Sequence, residues 1–275
     1  MLLWKQADHA ITTSAGGAME AFGKWSLETV LGNGGTATVW RATSPGRVEP
    51  VALKLLHEGL EEDSAIVDRF CTEVELLRGF EHPGILRCLD SGEDSGRLWS
   101  ALELCPGGSM ADGVVSGRLS VREVSRLCLE VLDALAYLHN RGFVHRDVKP
   151  DNVLIDGQSA ARLCDFGITR CPLSAATMMG DKMGSPSFMP PEQMDDPHEA
   201  TPQSDLYAVG ATLFACSTRS TAFRLLMPES REPALQELPL PLRQVVDFAT
   251  AHDPEERFVS AEAMGNVLAD AVERL

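Results

Sequence analysis

Residues 145–152 read His-Arg-Asp-Val-Lys-Pro-Asp-Asn, which packs two carboxylates, two cations and an amide into eight positions. Such a set raises the question whether acid, base and metal meet here. By itself the run reads equally well as a solvated polar turn. Three other segments carry chemistry of the same kind. Lys54 sits in "VALKLL" between apolar residues, and a buried ammonium needs an anion beside it. Glu73 on the following helix is a candidate partner and Glu75 a competing one, while an edge-strand lysine reaching water needs neither. Asp165 follows an apolar run in "LCDFGITR", where a carboxylate at a strand end suits a cation held with phosphate, or merely caps a turn. "LGNGGTATV" (31–39) has the glycines that let backbone amides approach phosphates, although a glycine hairpin looks the same. A strand follows it, so its context is neither Rossmann nor Walker.

The elements that must position these residues divide along the chain. From Trp25 to about Asp112, short β-type runs ("WSLETVL", "ATVWRAT", "VALKLL") alternate with glycine- or proline-bearing turns. Within them, Ile66, Phe70, Val74 and Leu77 repeat at the spacing of one helical face. "GILRCLDSGEDSGRLWSALEL" resumes strand character, with "SGEDSG" as its hairpin turn. After "CPGG" the pattern becomes helical. Ser120-x-x-Glu123 is a capping box ahead of a stripe formed by Val124, Leu127, Val131, Leu135 and Leu138, and Gly142 suits the exit. Further helices read at "QSDLYAVGATLFACS", "PLRQVVDFATA" and "SAEAMGNVLADAVERL". The expected division is a flexible leader at 1–22, a β-rich lobe at 23–104 and a helical lobe at 105–275, with a ligand cleft between the lobes.

Taken in order, the glycine loop, V-A-x-K, a helical Glu, H-R-D-x-K-P-x-N, D-F-G and P-P-E make the chain resemble the eukaryotic-type (Hanks-type) serine/threonine protein kinases, with a look similar to the bacterial ones. The resemblance covers about residues 25–272. It implies an α+β bilobal kinase fold, with a small β-rich N-lobe bearing one main helix, a larger helical C-lobe and ATP between them. It implies the γ-phosphoryl transfer of Mg-ATP, with Mn2+ as an alternative ion, to Ser/Thr hydroxyls of proteins. A nucleotide-binding pseudokinase or scaffold is the alternative.

The resemblance assigns roles residue by residue. Leu31, Gly32, Gly34 and Val39 would cover the nucleotide, with Ala37 in place of the third loop glycine. Ala52 and Leu154 would sandwich the base behind Leu102, and backbone groups of Glu103 and Cys105 would meet the adenine edge. Lys54 would hold the α/β-phosphates and Glu73, preferred to Glu75 by its distance to "HPGI", would orient it. Asp147 would be the base, Lys149 the neutralising cation, and Asn152 and Asp165 the metal ligands. Thr177 would be a phosphorylation site on the activation segment (165–192), with Arg146, Arg69 and Arg170 around its phosphate and Ser174 as a second acceptor. Asp205 would brace the catalytic loop, Glu192 and Arg257 would form a structural ion pair, and His145 would pack under Phe166. A homodimer for autophosphorylation is left open. The family's Gly-x-x-Pro-Phe turn after Gly210 is missing, in a region that serves substrate docking in the family.

Composition bounds the rest. With 275 residues, 44% apolar and 23% charged, the chain can bury substantial cores. A net charge of −16 argues against nucleic acid and anionic membrane as partners. The seven cysteines form no CxxC pair and read as reduced core residues, Cys164 beside Asp165 among them. No run is long enough to cross a bilayer and no basic start precedes an apolar stretch, so the expected compartment is the cytoplasm.

Overall fold

A computed structural model describes residues 20–166, 186–196 and 199–275. The chain divides into two compact units, 1–79 with 87–104 and 80–86 with 105–275.

The first unit is an antiparallel sheet of six strands and one helix. The strands are β1 (Glu20–Phe22), β2 (Trp25–Asn33), β3 (Ala37–Thr43), β4 (Val51–Leu56), β5 (Cys88–Asp94) and β6 (Arg97–Glu103), in the order β1-β2-β3-β4-β6-β5. Residues 20–22, read from the sequence as the end of a leader, instead pair with Trp25–Leu27. Alternation decides which face of β4 is buried. Val51, Leu53 and Leu55 enter a core with Trp25, Leu27, Ala42, Trp99 and Ala101, and the Trp25 and Trp99 rings meet edge to face at 5.3 Å. Ala52 and Lys54 therefore point to the other face, where Val39 is the register partner of Lys54.

The hairpin between β5 and β6 is tighter than "SGEDSG" suggests. Only Ser95 and Gly96 turn, both at positive φ (52° and 79°), as a two-residue primed turn requires. Gly92 is a packing glycine, since a Cβ there would lie 2.9 Å from the Trp99 ring. The helix α1 (Ser64–Gly79) buries Phe70, Val74 and Leu77, while Ile66 stays partly exposed against the same cluster.

The second unit is mainly helical. Its described helices are α2 (Met110–Val115), α3 (Val121–His139), α4 (Pro191–Asp195), α5 (Pro202–Thr218), α6 (Pro228–Gln236), α7 (Leu240–Ala249) and α8 (Ala261–Glu273), with a two-stranded ribbon of β7 (Val153–Ile155) and β8 (Ala161–Leu163). Ser120 caps α3 through the reciprocal bonds with Glu123, and all five stripe residues from Val124 to Leu138 are buried. Gly142 leaves the helix at φ 76°. The α5 helix is buried almost throughout, and Gly210 lets it approach α7: a Cβ there would lie 2.7 Å from that of Ala249. After α5, where the Gly-x-x-Pro-Phe turn is missing, the chain forms a 3-10 turn at Ala222–Leu225 and then α6.

Candidate active site

In the first unit, Lys54 Nζ donates to both carboxylate oxygens of Glu73, at 2.7 and 2.9 Å. Both side chains are mostly covered, at 17% and 18% exposure, so the pair is screened less than a surface ion pair. The helical period explains the choice of Glu73. It lies beside the buried Val74 and Leu77, whereas Glu75 points to solvent. The glycine loop is a hairpin tip closed by Gly34 N–H donating to Ala37 O at 2.9 Å, with Leu31 and Val30 exposed at its base. Val39, Ala52 and Lys54 share one face of the sheet, and the buried Leu102 pairs with Ala52. Glu103 N–H donates to Arg87 O. Arg69 is exposed on α1.

In the second unit, residues 145–152 form a closed hydrogen-bonded loop. Asp147 Oδ2 accepts from Lys149 Nζ at 2.6 Å and from Asn152 Nδ2 at 2.8 Å. The same Asn152 nitrogen also donates to the Asp147 carbonyl at 2.8 Å. A 3-10 turn at Pro150–Asn152 is responsible: Pro150 suits its first position, and Asn152 N–H donates back to Lys149 O. Cys164 N–H donates to Asn152 O at 3.0 Å, which ties the end of β8 to this loop just before Asp165. Asp165 is exposed and holds a left-handed φ of 54°, a conformation that non-glycine residues adopt at some energetic cost. Leu154 on β7 is half-buried.

Beneath the loop lies a carboxylate that water hardly reaches. Asp205, 1% exposed, accepts from the backbone N–H groups of His145 and Arg146 and from His139 Nε2, each at 2.8 Å. These bonds hold Arg146 at φ 72°. His145 is fully buried. Its Nε2–H donates to Cys164 O at 3.1 Å, its Nδ1 accepts from Asp147 N–H, and its ring lies 4.8 Å from that of Phe166. Burial pushes the His145 imidazole below its ordinary value, and the nearby Asp205 and Asp147 carboxylates offset this only in part. A neutral, fully bonded imidazole of this kind packs under Phe166, as expected, and is in no position to act as the base. The Phe80 ring lies 5.5 Å from that of Phe166 in a tilted contact the sequence offered no signal for.

Glu192 and Arg257 meet in a bidentate pair at 2.7 and 2.8 Å, and the remaining guanidinium donors go to the carbonyls of Ala251, Gln203 and His252. Burial raises the Glu192 carboxyl, but bonds from Arg257, its own backbone and Ser204 outweigh it and leave the group below its ordinary value. Thr177, Arg170 and Ser174 lie outside the described residues.

The donor chemistry fits a hard divalent cation. Asn152 commits its amide nitrogen to Asp147, so the group it has for a cation is its oxygen, and Asp165 adds an exposed carboxylate. Among the described residues no cluster of three or more His, Cys, Asp or Glu side chains is built to hold a metal. An ion here would complete its shell with phosphate oxygens and water, the habit of Mg2+.

The chain belongs to the protein kinase domain family, whose model matches residues 25–264. The serine/threonine-protein kinase PknL of Mycobacterium tuberculosis is 30% identical over 266 residues, covering 92% of this chain and 66% of PknL. PrkC of Bacillus subtilis, another serine/threonine-protein kinase, is 29% identical over 256 residues, covering 88% of this chain and 39% of PrkC. The chain thus spans just under two thirds of the one relative and well under half of the other. The crystal structure of the Mycobacterium tuberculosis PknI kinase domain matches with a TM-score of 0.69 at 26% identity, covering 94% of this chain and all of that one. No described helix is long and apolar enough to cross a membrane.

Proposed function

We propose that this chain is an active serine/threonine protein kinase that transfers the γ-phosphoryl group of Mg-ATP to protein Ser/Thr hydroxyls. The observation that carries the reading is the Asp147–Lys149–Asn152 cluster, a carboxylate with one oxygen held by a cation and an amide. Such a carboxylate aims a substrate hydroxyl and accepts its proton late in the transfer. Lys149 neutralises charge developing on the phosphoryl group, and its position two residues after Asp147 follows the serine/threonine pattern. Lys54, held by Glu73, binds the α- and β-phosphates. Gly32 and Gly34 bring backbone amides over them, Leu31, Val39, Ala52 and Leu154 enclose the base, and backbone groups of Glu103 and Cys105 meet its edge. Asn152 and Asp165 would hold Mg2+, or Mn2+ in its place, which when bound neutralises the phosphate oxygens. Everything else the protein supplies is positioning and electrostatics.

Control by autophosphorylation at Thr177 is part of this reading, with Arg146, Arg69 and Arg170 as partners for the phosphate and a transient homodimer as the route. Equal phosphate transfer by Thr177→Ala and wild-type protein, after phosphatase treatment and preincubation with ATP, would remove it. A cytoplasmic setting suits a reaction that consumes ATP. The test of the activity is incubation with labelled ATP and magnesium, with and without a generic basic protein. Label that disappears in Asp147→Asn and Lys54→Met is the expected result. Tight ATP binding with no label on any acceptor would make the chain a pseudokinase.

A further inference from the structure

The glycine loop is one of the exposed segments of the first unit. Gly32, Gly34 and Gly35 carry no side chains to hold it, Asn33 is exposed, and a glycine-rich tip loses much conformational freedom when it closes on a ligand. Yet the structure ties this tip down from one place. His57 directly follows β4, three residues after Lys54. Its backbone N–H donates to Thr36 O at 2.8 Å. Its imidazole reaches across the hairpin as well, with Nε2 3.0 Å from Thr38 Oγ1 and 3.2 Å from Asn33 Oδ1. Thr38 Oγ1 in turn donates to Asn33 Oδ1 at 2.9 Å. An amide oxygen can only accept, so the Thr38 hydroxyl proton goes to Asn33 and Nε2–H serves both oxygens.

Asn33 and Thr38 are register partners on β2 and β3, the two residues at the mouth of the loop. The three side chains close a small ring of hydrogen bonds over the hairpin, and the strand that carries Lys54 anchors it. We propose that His57 is a positioning residue for the loop over the nucleotide phosphates. It clasps Asn33 and Thr38 so that the loop amides are set before ATP arrives, at a fixed offset from Lys54. The role rests on the reading of this loop as the ATP-phosphate site. Its physical content is pre-organisation: ordering the glycines in the free protein lowers the entropy cost that nucleotide binding would otherwise meet. It also explains how a loop with Ala37 in the third glycine position, buried and paired with Leu56, keeps a defined tip.

The experiment combines hydrogen–deuterium exchange of the nucleotide-free protein with steady-state kinetics at varied ATP, on His57→Ala, His57→Gln and Asn33→Ala. Losing the imidazole bonds while keeping the backbone bond to Thr36 should speed amide exchange across 32–37 by roughly fivefold, the factor one net hydrogen bond supplies. KM for ATP should rise by a similar factor with kcat within about twofold, because the loss falls on binding the phosphates in ground and transition state alike. His57→Gln, whose amide N–H reaches the position of Nε2, should restore both. Asn33→Ala removes the acceptor from an exposed site without touching the core, so it should reproduce the alanine effect in a folded protein. Loop exchange at the wild-type rate in His57→Ala and Asn33→Ala would overturn the proposal. So would a glutamine variant as impaired as alanine, since ring packing alone would then be responsible. Wild-type protein that transfers no phosphate would sink the kinase reading and still leave the exchange rates to decide the clasp.

Discussion

The two units hold their chemical groups in different ways. In the first, Lys54 is tied to both carboxylate oxygens of Glu73, and the loop above it is held by a few hydrogen bonds at a partly exposed hairpin. In the second, Asp147 and Asn152 stand on a loop whose backbone is bolted to the buried Asp205, with His145 neutral beneath it. One arrangement places a group on a regular sheet, where the strand already determines direction. The other holds irregular backbone, including the left-handed Arg146 and Asp165, which needs fixed polar partners to persist. The difference predicts that Lys54 can be replaced at modest cost in stability, whereas the buried ion partners of the second unit cannot.

The largest effect tests the reacting group. Asp147→Asn should lower phosphate transfer by about 10³-fold, within the range for loss of a general base, with little change in the thermal midpoint because the amide keeps an oxygen for Lys149. Lys54→Met should lower kcat/KM by roughly 10²-fold, as expected for an electrostatic contact to phosphate, with a smaller fall in the unfolding midpoint than Arg257→Ala gives because the Glu73 carboxylate it leaves lies nearer water. A large loss of stability in Lys54→Met would break the contrast between the units. In the second unit, Arg257→Ala should cost about 3–5 kcal/mol in urea unfolding, because it leaves the Glu192 carboxylate covered and unpaired. An unchanged urea midpoint would mean that this pair contributes no net stability.

The smallest effects concern acid. Glu192 is held below its ordinary value of 4.5, so its contribution is complete above that pH and lost as pH falls through the lower folded value. Asp90 in the first unit is also held below its ordinary 3.8, chiefly by the hydrogen bond from Lys24, but that pair is open to water. Removing Arg257 should flatten the acid limb of stability against pH, whereas Lys24→Ala should barely alter it. Equal slopes from the two would erase the distinction between a buried and a surface pair.

Much of the site was legible because its groups lie close along the chain. The spacing from His145 to Asn152, the capping box at Ser120 and Glu123, and Asp165 after an apolar strand all rest on local periods and turn chemistry. "SGEDSG" misled for the same reason. Gly92 looks like turn punctuation in sequence, and only the Trp99 ring across the hairpin shows why a glycine stands there.

The sequence by itself determined the family, the order of the chemical groups and the type of residue at each. Tertiary structure decided which distant partners those groups meet. It set His57 across Asn33 and Thr38 and laid Phe80 against Phe166, and it supplied the bonds by which the partners already implied by the resemblance, Glu73 for Lys54 and Asp205 under His145, act. The physical reason is that spacing governs neighbours on one strand or helix face, whereas register and burial decide which faces meet, and no local pattern encodes that.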